Sequence, residues 1–426
     1  MRWGLTDTGP AAAGGQLDVH RMSAGEASQT TCPVLGRPKD GGLRVEIAGA
    51  ESFRAAAPAW RDLVSRCAEP NVFMEPGVAE AVQSTTDMPL FSILAWRSEQ
   101  ELEGAWLLAL TKPSSHLPVR VLACPPNALT FLGSPVLDRR RPAETLSAMF
   151  DAIAADPGLP KMLCANDIAA EGAVYPALRA AIDERGGTAL EIERRARAKL
   201  DLKAGPKDPS NRAGSSKRRS ELRRQRKKLA GLGTLEHARY SAPDAVRAAF
   251  GEFLSLEAAG WKGESRAILN SEHRTAFARD MIERLARDGC VAIDALRLDG
   301  RAIAMNVWLR SGHGVFGWKM AFDEAYRQMS PGALLLDDLT EQVMADPEAW
   351  FFDSCNRRDT GPLAQLWPER REILDLVIDL HPGGSLRGKC LARLEHSYRI
   401  CRDAARRRIL PVVDGLIPPR RRRGWK

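Results

Sequence analysis

At 426 residues, the chain allows two or three domains of ordinary size. Its 44% apolar and 27% charged residues are ordinary globular usage, enough to bury sizeable cores. No apolar run reaches the ~18 residues that a membrane-spanning helix requires. The opening residues, MRWGLTDTGPAAAGGQ, lack the continuous apolar stretch and cleavage site of a secretory leader. The expected location is therefore the cytoplasm, free or at the inner membrane face.

The net charge of +8 is unevenly spread. Residues 217–228, KRRSELRRQRKK, hold eight basic residues, and 420–426 hold five more. Such runs attract phosphate in any form, whether CoA, nucleic acid or anionic lipid, and charge alone does not choose among them. Of the eight cysteines, the nearest two, Cys390 and Cys401, stand eleven positions apart. That spacing excludes a CxxC zinc cluster and a dense disulfide framework, so reduced thiols and no metal are expected.

Residues 1–42, rich in Gly, Ala, Ser, Thr and Pro, show no sustained periodicity and are expected to be disordered. From Leu43 the pattern becomes globular. LRVEIA alternates as a strand, and 54–67 reads as a helix. Asn71 to Pro76 forms a polar turn into a second helix. FSILAWRS (91–98) and GAWLLALTK (104–112) read as a hairpin, followed by a strand at 119–124. Helices are expected at 142–155 and 174–185, with strands at 161–166 and, briefly, 199–202. Pro142 suits a first helical position and Gly186-Gly187 a helix end. The turn-rich GPKDPSNRAGSS then marks a domain boundary near 204/205.

In the second half, helices are expected at 215–230, 243–259 and 271–288. CVAIDALRL (290–298) and AIAMNVWLR (302–310) form a hairpin around Leu-Asp-Gly-Arg, and VFGWKMAF (315–322) follows. The loop DEAYRQMSPG leads into a helix at 333–345, then a strand at 350–353 and a long basic amphipathic helix at 386–409. A faint repeat relates EQELEGAWLLAL (99–110) to RLDGRAIAMNVWL (297–309), which suggests duplication.

The strongest local feature is strand, loop and helix over 315–345. A helix N-terminus presents unpaired N–H groups and partial positive charge, a seat for pyrophosphate. Gly332 permits close backbone approach, Ser330 can cap the helix, and Arg327, beside Gln328, adds a bidentate phosphate donor. Read as structure, the same residues make an ordinary strand-to-helix turn. Trp261-Lys262 and Trp318-Lys319 are two Trp-Lys pairs. A buried lysine loses its proton readily and serves as a base, and an indole packs on a ligand. The alternative is a pair of core tryptophans with snorkelling lysines. Glu257, Asp323 and Asp353 are candidate bases, or capping and ion-paired carboxylates. No HExxH or Gly-x-Ser-x-Gly pattern is present, which leaves out the zincin and serine-hydrolase classes.

SKRRSELRRQRKKLAGLG, FLSLEAAGWKGES, LRLDGRAIAMNVWL, GWKMAFDEAYRQMSPGALLL and FFDSC occur in this order. Together they resemble the bacterial GNAT acyltransferases of the cellulose-biosynthesis (CelD-like) type, similar in turn to the Fem-type tandem-GNAT peptidyltransferases. The resemblance covers about 210–380 and extends to 43–200 in outline only. It implies an α/β fold of tandem GNAT-like domains with mixed central sheets flanked by helices. The expected divisions are a degenerate first domain at 43–204, an acyltransferase domain at 205–385, and a basic helix and tail at 386–426.

The resemblance also implies acetyl-CoA or a longer acyl-CoA as co-substrate. The acceptor it implies is an amine or hydroxyl, on a small molecule or saccharide, in polysaccharide or cell-envelope metabolism. By carry-over, 327–332 matches the pyrophosphate loop, although Ser330-Pro331 replaces its first glycine region. Trp318 and Lys319 lie on the strand that holds the donor, and Trp261 and Lys262 lie toward the acceptor. An acceptor amine attacks the thioester, a backbone N–H near Trp318 or Lys319 holds the oxyanion, and Glu257, Asp323 or Asp353 takes the proton. Two alternatives stand beside this reading. One is a Fem-like transferase using aminoacyl-tRNA, with helix 217–228 on tRNA phosphates or an anionic membrane. The other is a non-catalytic scaffold.

Overall fold

The computed structural model describes residues 42–113, 119–203, 216–260, 267–357 and 359–416. Nearly all of the segment 1–42, most of the connector after 204, the Trp261-Lys262 pair and the basic tail 420–426 lie outside these residues.

Alternating apolar residues and tight polar turns set the first meander. β1 (Arg44–Ala48), β2 (Leu90–Trp96) and β3 (Leu102–Thr111) pair antiparallel, with α1 (Ala50–Ser65) and α2 (Pro76–Thr85) between β1 and β2. β4 (Val121–Cys124), the short β5 (Val136–Leu137), α3 (Pro142–Ala155), β6 (Met162–Ala169), α4 (Val174–Glu184) and β7 (Thr188–Asp201) complete the first half. The second half repeats the plan. It runs α5 (Ser216–Ala230), β8 (Leu235–Tyr240), α6 (Pro243–Ala259), α7 (Glu272–Arg287), β9 (Val291–Leu298), β10 (Arg301–Ser311) and β11 (Gly314–Phe322). It ends with α8 (Pro331–Met344), β12 (Phe351–Asp353), α9 (Pro362–Leu366), β13 (Glu369–Asp379) and α10 (Leu386–Leu416).

The strands form one mixed sheet, not two separate ones. Its order is β1-β2-β3-β4-β6-β13-β7-β12-β11-β10-β9-β8, with β5 on β3. Read from either edge, the order has the same plan, with β3 and β10 third from their edges. These two strands carry the faint repeat. Among the described residues, only β4/β6 and β11/β12 pair in parallel, at matching positions in the two halves. At the centre the halves exchange strands. β13, from the end of the chain, pairs with β6, and β7, from the first half, pairs with β12. A cut at 204/205 therefore separates the halves in sequence but not in the sheet.

Buried charge holds this centre. Arg197 of β7 and Arg371 of β13 are register partners, and both donate to Asp353 Oδ2, at 2.6 and 2.9 Å. Asp353 is fully buried and also accepts the Cys355 N–H at 2.9 Å. Burial alone would raise its pKa, but the two guanidiniums outweigh it and hold the carboxyl below the usual carboxylate range. Two residues along β7, Arg195 donates to Asp375 of β13 at 2.9 Å and to Asp167 of β6. Strand β7 is therefore longer than the expected 199–202. Of its arginines, Arg197 is buried and Arg195 half-buried against partners from other segments, while Arg194 is exposed.

A second seam joins α2 to α7. Gly77 faces Arg284, where an added Cβ would stand 3.2 Å from the Arg284 Cβ. Arg284 also pairs with Glu80. Beside this contact, buried Glu75 accepts the Ser311 hydroxyl at 2.6 Å. Burial pushes its pKa up to about 7 against that hydrogen bond. The basic helix forms as expected. Its Leu222, Gln225 and Leu229 face the protein, while α5 packs on residues 324–329 and α8.

Two outcomes follow from the buried acids. Asp353→Ala removes the carboxylate that both arginines share, with Glu69 at 3.9 Å from Arg371 too distant to replace its hydrogen bonds, and should cost about 3–5 kcal/mol, read from urea denaturation. A cost under about 1 kcal/mol would contradict the clamp. Glu75 binds its proton more tightly folded than unfolded. Its stabilising effect is therefore complete below the unfolded value of 4.5 and lost as pH rises through about 7. Glu75→Gln should match wild type near pH 4 and exceed it by on the order of 2–3 kcal/mol near pH 8. Parallel stability curves across that range would contradict the assignment.

Candidate functional site

β11 is irregular where the sequence reads Gly317-Trp-Lys. Val307 of β10 faces Lys319 while Trp308 faces Gly317, so Trp318 is the extra residue of a β-bulge. Such bulges re-aim side chains and end regular pairing. On the other edge, β12 runs beside β11 only over Gly314–Phe316 and stops at Asp353. Over 317–322, no strand among the described residues pairs with β11 on that edge. The first half repeats this arrangement. β4 runs beside β6 over 122–124, then the chain turns away at Pro125 while β6 continues to Ala169.

Both openings face one cleft of about 1050 Å³. One side is β11 from Trp318 to Phe322, with Cys355, Asn356 and Arg357 beyond β12. Opposite are the loop residues Asn127, Thr130 and Phe131 and the β6 residues Asn166 and Asp167. Glu257 closes the cleft from α6, and Glu395, Tyr398, Arg399 and Arg402 from α10. Asp167 and Cys355, past the parallel stretches of β6 and β12, take left-handed backbone conformations, with φ of 55° and 52°. Residues other than glycine rarely adopt this conformation, and it gathers at functional sites. Indoles from both halves fix the loop at 125–135: Trp106 donates to the Gly133 carbonyl at 2.9 Å and Trp318 to that of Leu129 at 2.8 Å.

Three of the expected residues meet in this cleft. Trp318 is buried and anchored as described. The Lys319 ammonium lies 5.5 Å from the centre of the Phe131 ring. Glu257 is buried, and its Oε2 accepts the Ile268 N–H at 2.9 Å. The other residues lie elsewhere. Asp353 is the central clamp. A carboxylate held low by two arginines takes up a proton poorly. Asp323 accepts the Ala325 N–H and the Arg301 guanidinium, each at 2.9 Å. Residues 324–329 form a short 3-10 helix, with Arg327 and Gln328 exposed and Arg327 3.8 Å from Glu324.

Ser330 does not cap α8 with its hydroxyl as expected. It takes the left-handed conformation, with φ of 50°, and its carbonyl instead receives the Ala333 and Leu334 N–H groups. Gly332 does sit where close approach matters. An added Cβ would lie 3.1 Å from the Met320 sulfur, behind the cleft wall.

The first half supplies residues the sequence did not single out. Asp167 stands high because burial outweighs the Arg195 guanidinium, while Asp375 stays low because Arg195 and Arg399 outweigh its burial. Arg399 also donates to Asn166 at 3.1 Å. The sequence signal for this wall is Pro125-Pro-Asn after a strand, at the place in the first half that 323–332 holds in the second.

Residues 216–359 match the family model described as an acetyltransferase (GNAT) domain. The match lies wholly within the second half of the chain. The bulged β11, the opening beside β12 and the turn into α8 all lie inside that match. No sequence of a curated protein matches the chain. Among solved structures, FemX superposes with a TM-score of 0.54 at 10% identity, over 82% of this chain and 100% of its own. It shows a shared fold. The C-terminal domain of a protein described as a lysylphosphatidylglycerol synthetase from Agrobacterium fabrum gives 0.49 at 12% identity, over 81% and 96%. A tandem GNAT protein from the clavulanic acid biosynthesis pathway gives 0.42 at 17%, over 80% and 99%.

Proposed function

We propose that this protein transfers an acyl group from an acyl-CoA to an amine or hydroxyl, with the donor seated between β11 and β12. The observation that carries the reading is the stretch of β11 beyond its bulge, where β12 no longer runs beside it and the strand lines the shared cleft inside the matched segment. Backbone N–H groups along such a strand lie in line, the donors a developing oxyanion needs. The cleft suits the donor's size. Single-ligand pockets span roughly 300–1,000 Å³, so about 1050 Å³ admits a pantetheine arm and an acceptor together. The diphosphate end would lie at the start of α8, beside Arg327, Gln328, Ser330 and Gly332.

In the proposed reaction the acceptor nitrogen or oxygen attacks the thioester carbon, the C–S bond breaks, and the thiolate leaves to take a proton. The acceptor's own proton passes to Glu257, the only one of the three expected bases that lines the cleft. Lys319, next to the bulge, keeps positive charge beside the developing oxyanion. Holding both reactants in one cleft supplies much of the rate. The described cysteines are all free thiols, in keeping with a reducing compartment, and we place the reaction in the cytoplasm. A saccharide or cell-envelope acceptor follows from the CelD-like resemblance alone.

One observation favours a second reading. α5, with Arg223, Lys227 and Lys228 exposed, packs directly on residues 324–329. A polyanionic donor such as aminoacyl-tRNA would meet it there. Such binding would weaken steeply with salt.

Thermal unfolding with acetyl-CoA, longer acyl-CoAs and free CoA is the direct test. The expected result is a saturable rise in Tm with at least one thioester, weakened about ten-fold in apparent affinity by Arg327→Ala. No rise with any CoA, together with salt-dependent RNA binding, would transfer the assignment to the second reading. Once turnover is found, Glu257→Gln should lower kcat by about 10²-fold or more with little change in KM. Unchanged kcat would remove Glu257 from the mechanism.

A further inference from the structure

α10 has two faces with different environments. Its inner face rests on the sheet, where Leu391 and Ala392 pack against Val121, Met162, Cys164, Ile192 and Val377. Its outer face, open to solvent, carries large apolar residues among cations. Leu386 is 78% exposed, Leu394 51%, Tyr398 45% and Ile400 55%, with Cys390 and Cys401 exposed among them. Leu386, Cys390, Leu394 and Tyr398 are four apart, which places them in a row along the helix. Leu386, Leu394, Tyr398 and Ile400 are four of the seven large apolar residues exposed among the described residues.

The charge around this row names the occupant. Between Leu386 and Arg402 the sole acid is Glu395, which is buried and lines the cleft. Arg387, Lys389 and Arg393 are exposed beside the apolar row. After α10 the sequence continues with Arg420 to Arg423, Trp425 and Lys426. A second copy of this chain on the same face would bring like charges together. An anionic lipid surface complements both features, with acyl-chain depth for the apolar row and headgroup phosphate for the cations. No helix among the described residues is long and apolar enough to cross a membrane.

We propose that α10 is an interfacial helix that docks the protein on an anionic lipid surface. It lies in the plane of the headgroups, with Leu386, Leu394 and Ile400 inserted. Because Tyr398, Arg399 and Arg402 of the same helix line the cleft, docking sets the cleft mouth beside the bilayer. The docking itself does not depend on which acyl donor the cleft takes.

Co-sedimentation of the full chain with vesicles tests this, using phosphatidylcholine alone and phosphatidylcholine mixed with phosphatidylglycerol. The variants are Leu394→Asp with Ile400→Asp, and Arg387→Glu with Lys389→Glu and Arg393→Glu. All five positions are exposed, so both variants should keep the wild-type Tm. The expected result is binding to the mixed vesicles only, reduced about ten-fold or more by each variant. No binding to the mixed vesicles would overturn the proposal. So would binding unchanged by Leu394→Asp with Ile400→Asp, which would mean adsorption through charge elsewhere. Self-association abolished by that same variant, without vesicle binding, would assign the face to a second copy and equally overturn it.

Discussion

The structure turns on one buried carboxylate. Asp353 ends β12, the strand whose early stop opens the cleft, and it holds Arg197 from the first half and Arg371 from the end of the chain. Three fully desolvated charges are tolerable only as a satisfied set. The set fixes which strands lie side by side at the centre, because only the exchanged order β13-β7-β12 brings both arginines to one acid. The same side chain then acts on the site. Its second oxygen receives the Cys355 N–H, which sets the left-handed turn leading the chain out of β12 along the cleft wall.

From that exchange follows the single cleft. Two separate GNAT-like sheets would open two separate sites. Here both parallel pairs sit near the centre of one sheet, and their openings share a cleft of about 1050 Å³. The first half does more than support the second. Its loop at 125–135 receives the Trp318 indole, its Phe131 ring lies under Lys319, and its Asp167 and Asn166 form the far wall. α10 then closes the side that the exchanged strands leave open, with one face on the sheet and one toward solvent.

The sequence shows clearly those elements whose partners are their neighbours. The β9/β10 hairpin is legible from its alternation and from Asp299-Gly300, both at positive φ. α3 and α6 begin at the prolines that mark them. The centre of the sheet is much harder to read. β7, TALEIERRARAKLD, and β13, ERREILDLVID, look like solvated charge, yet Arg197, Arg371 and Asp375 are buried. Their burial rests on ion pairs between segments some 18 to 180 residues apart, which no local period records. Nothing local in the sequence marks β13 as a strand. For the site, Trp318, Lys319 and Glu257 were legible because they surround the bulge and the end of α6. Asp353 carried the right residue type in the right strand, and only its distant arginines show that it holds structure. Residues 127, 166 and 167 carry no motif, and their place in the cleft comes from the first half's opening lying beside the second's.

The most direct measurement is a crystal structure with a stable thioether analogue of acetyl-CoA. The account predicts the pantetheine arm between β11 and β12, with the acyl carbonyl oxygen within hydrogen-bond reach of a β11 backbone N–H beyond Trp318 and the diphosphate at the start of α8. A donor seated in the β4/β6 opening instead, or one bound away from the shared cleft, would contradict it.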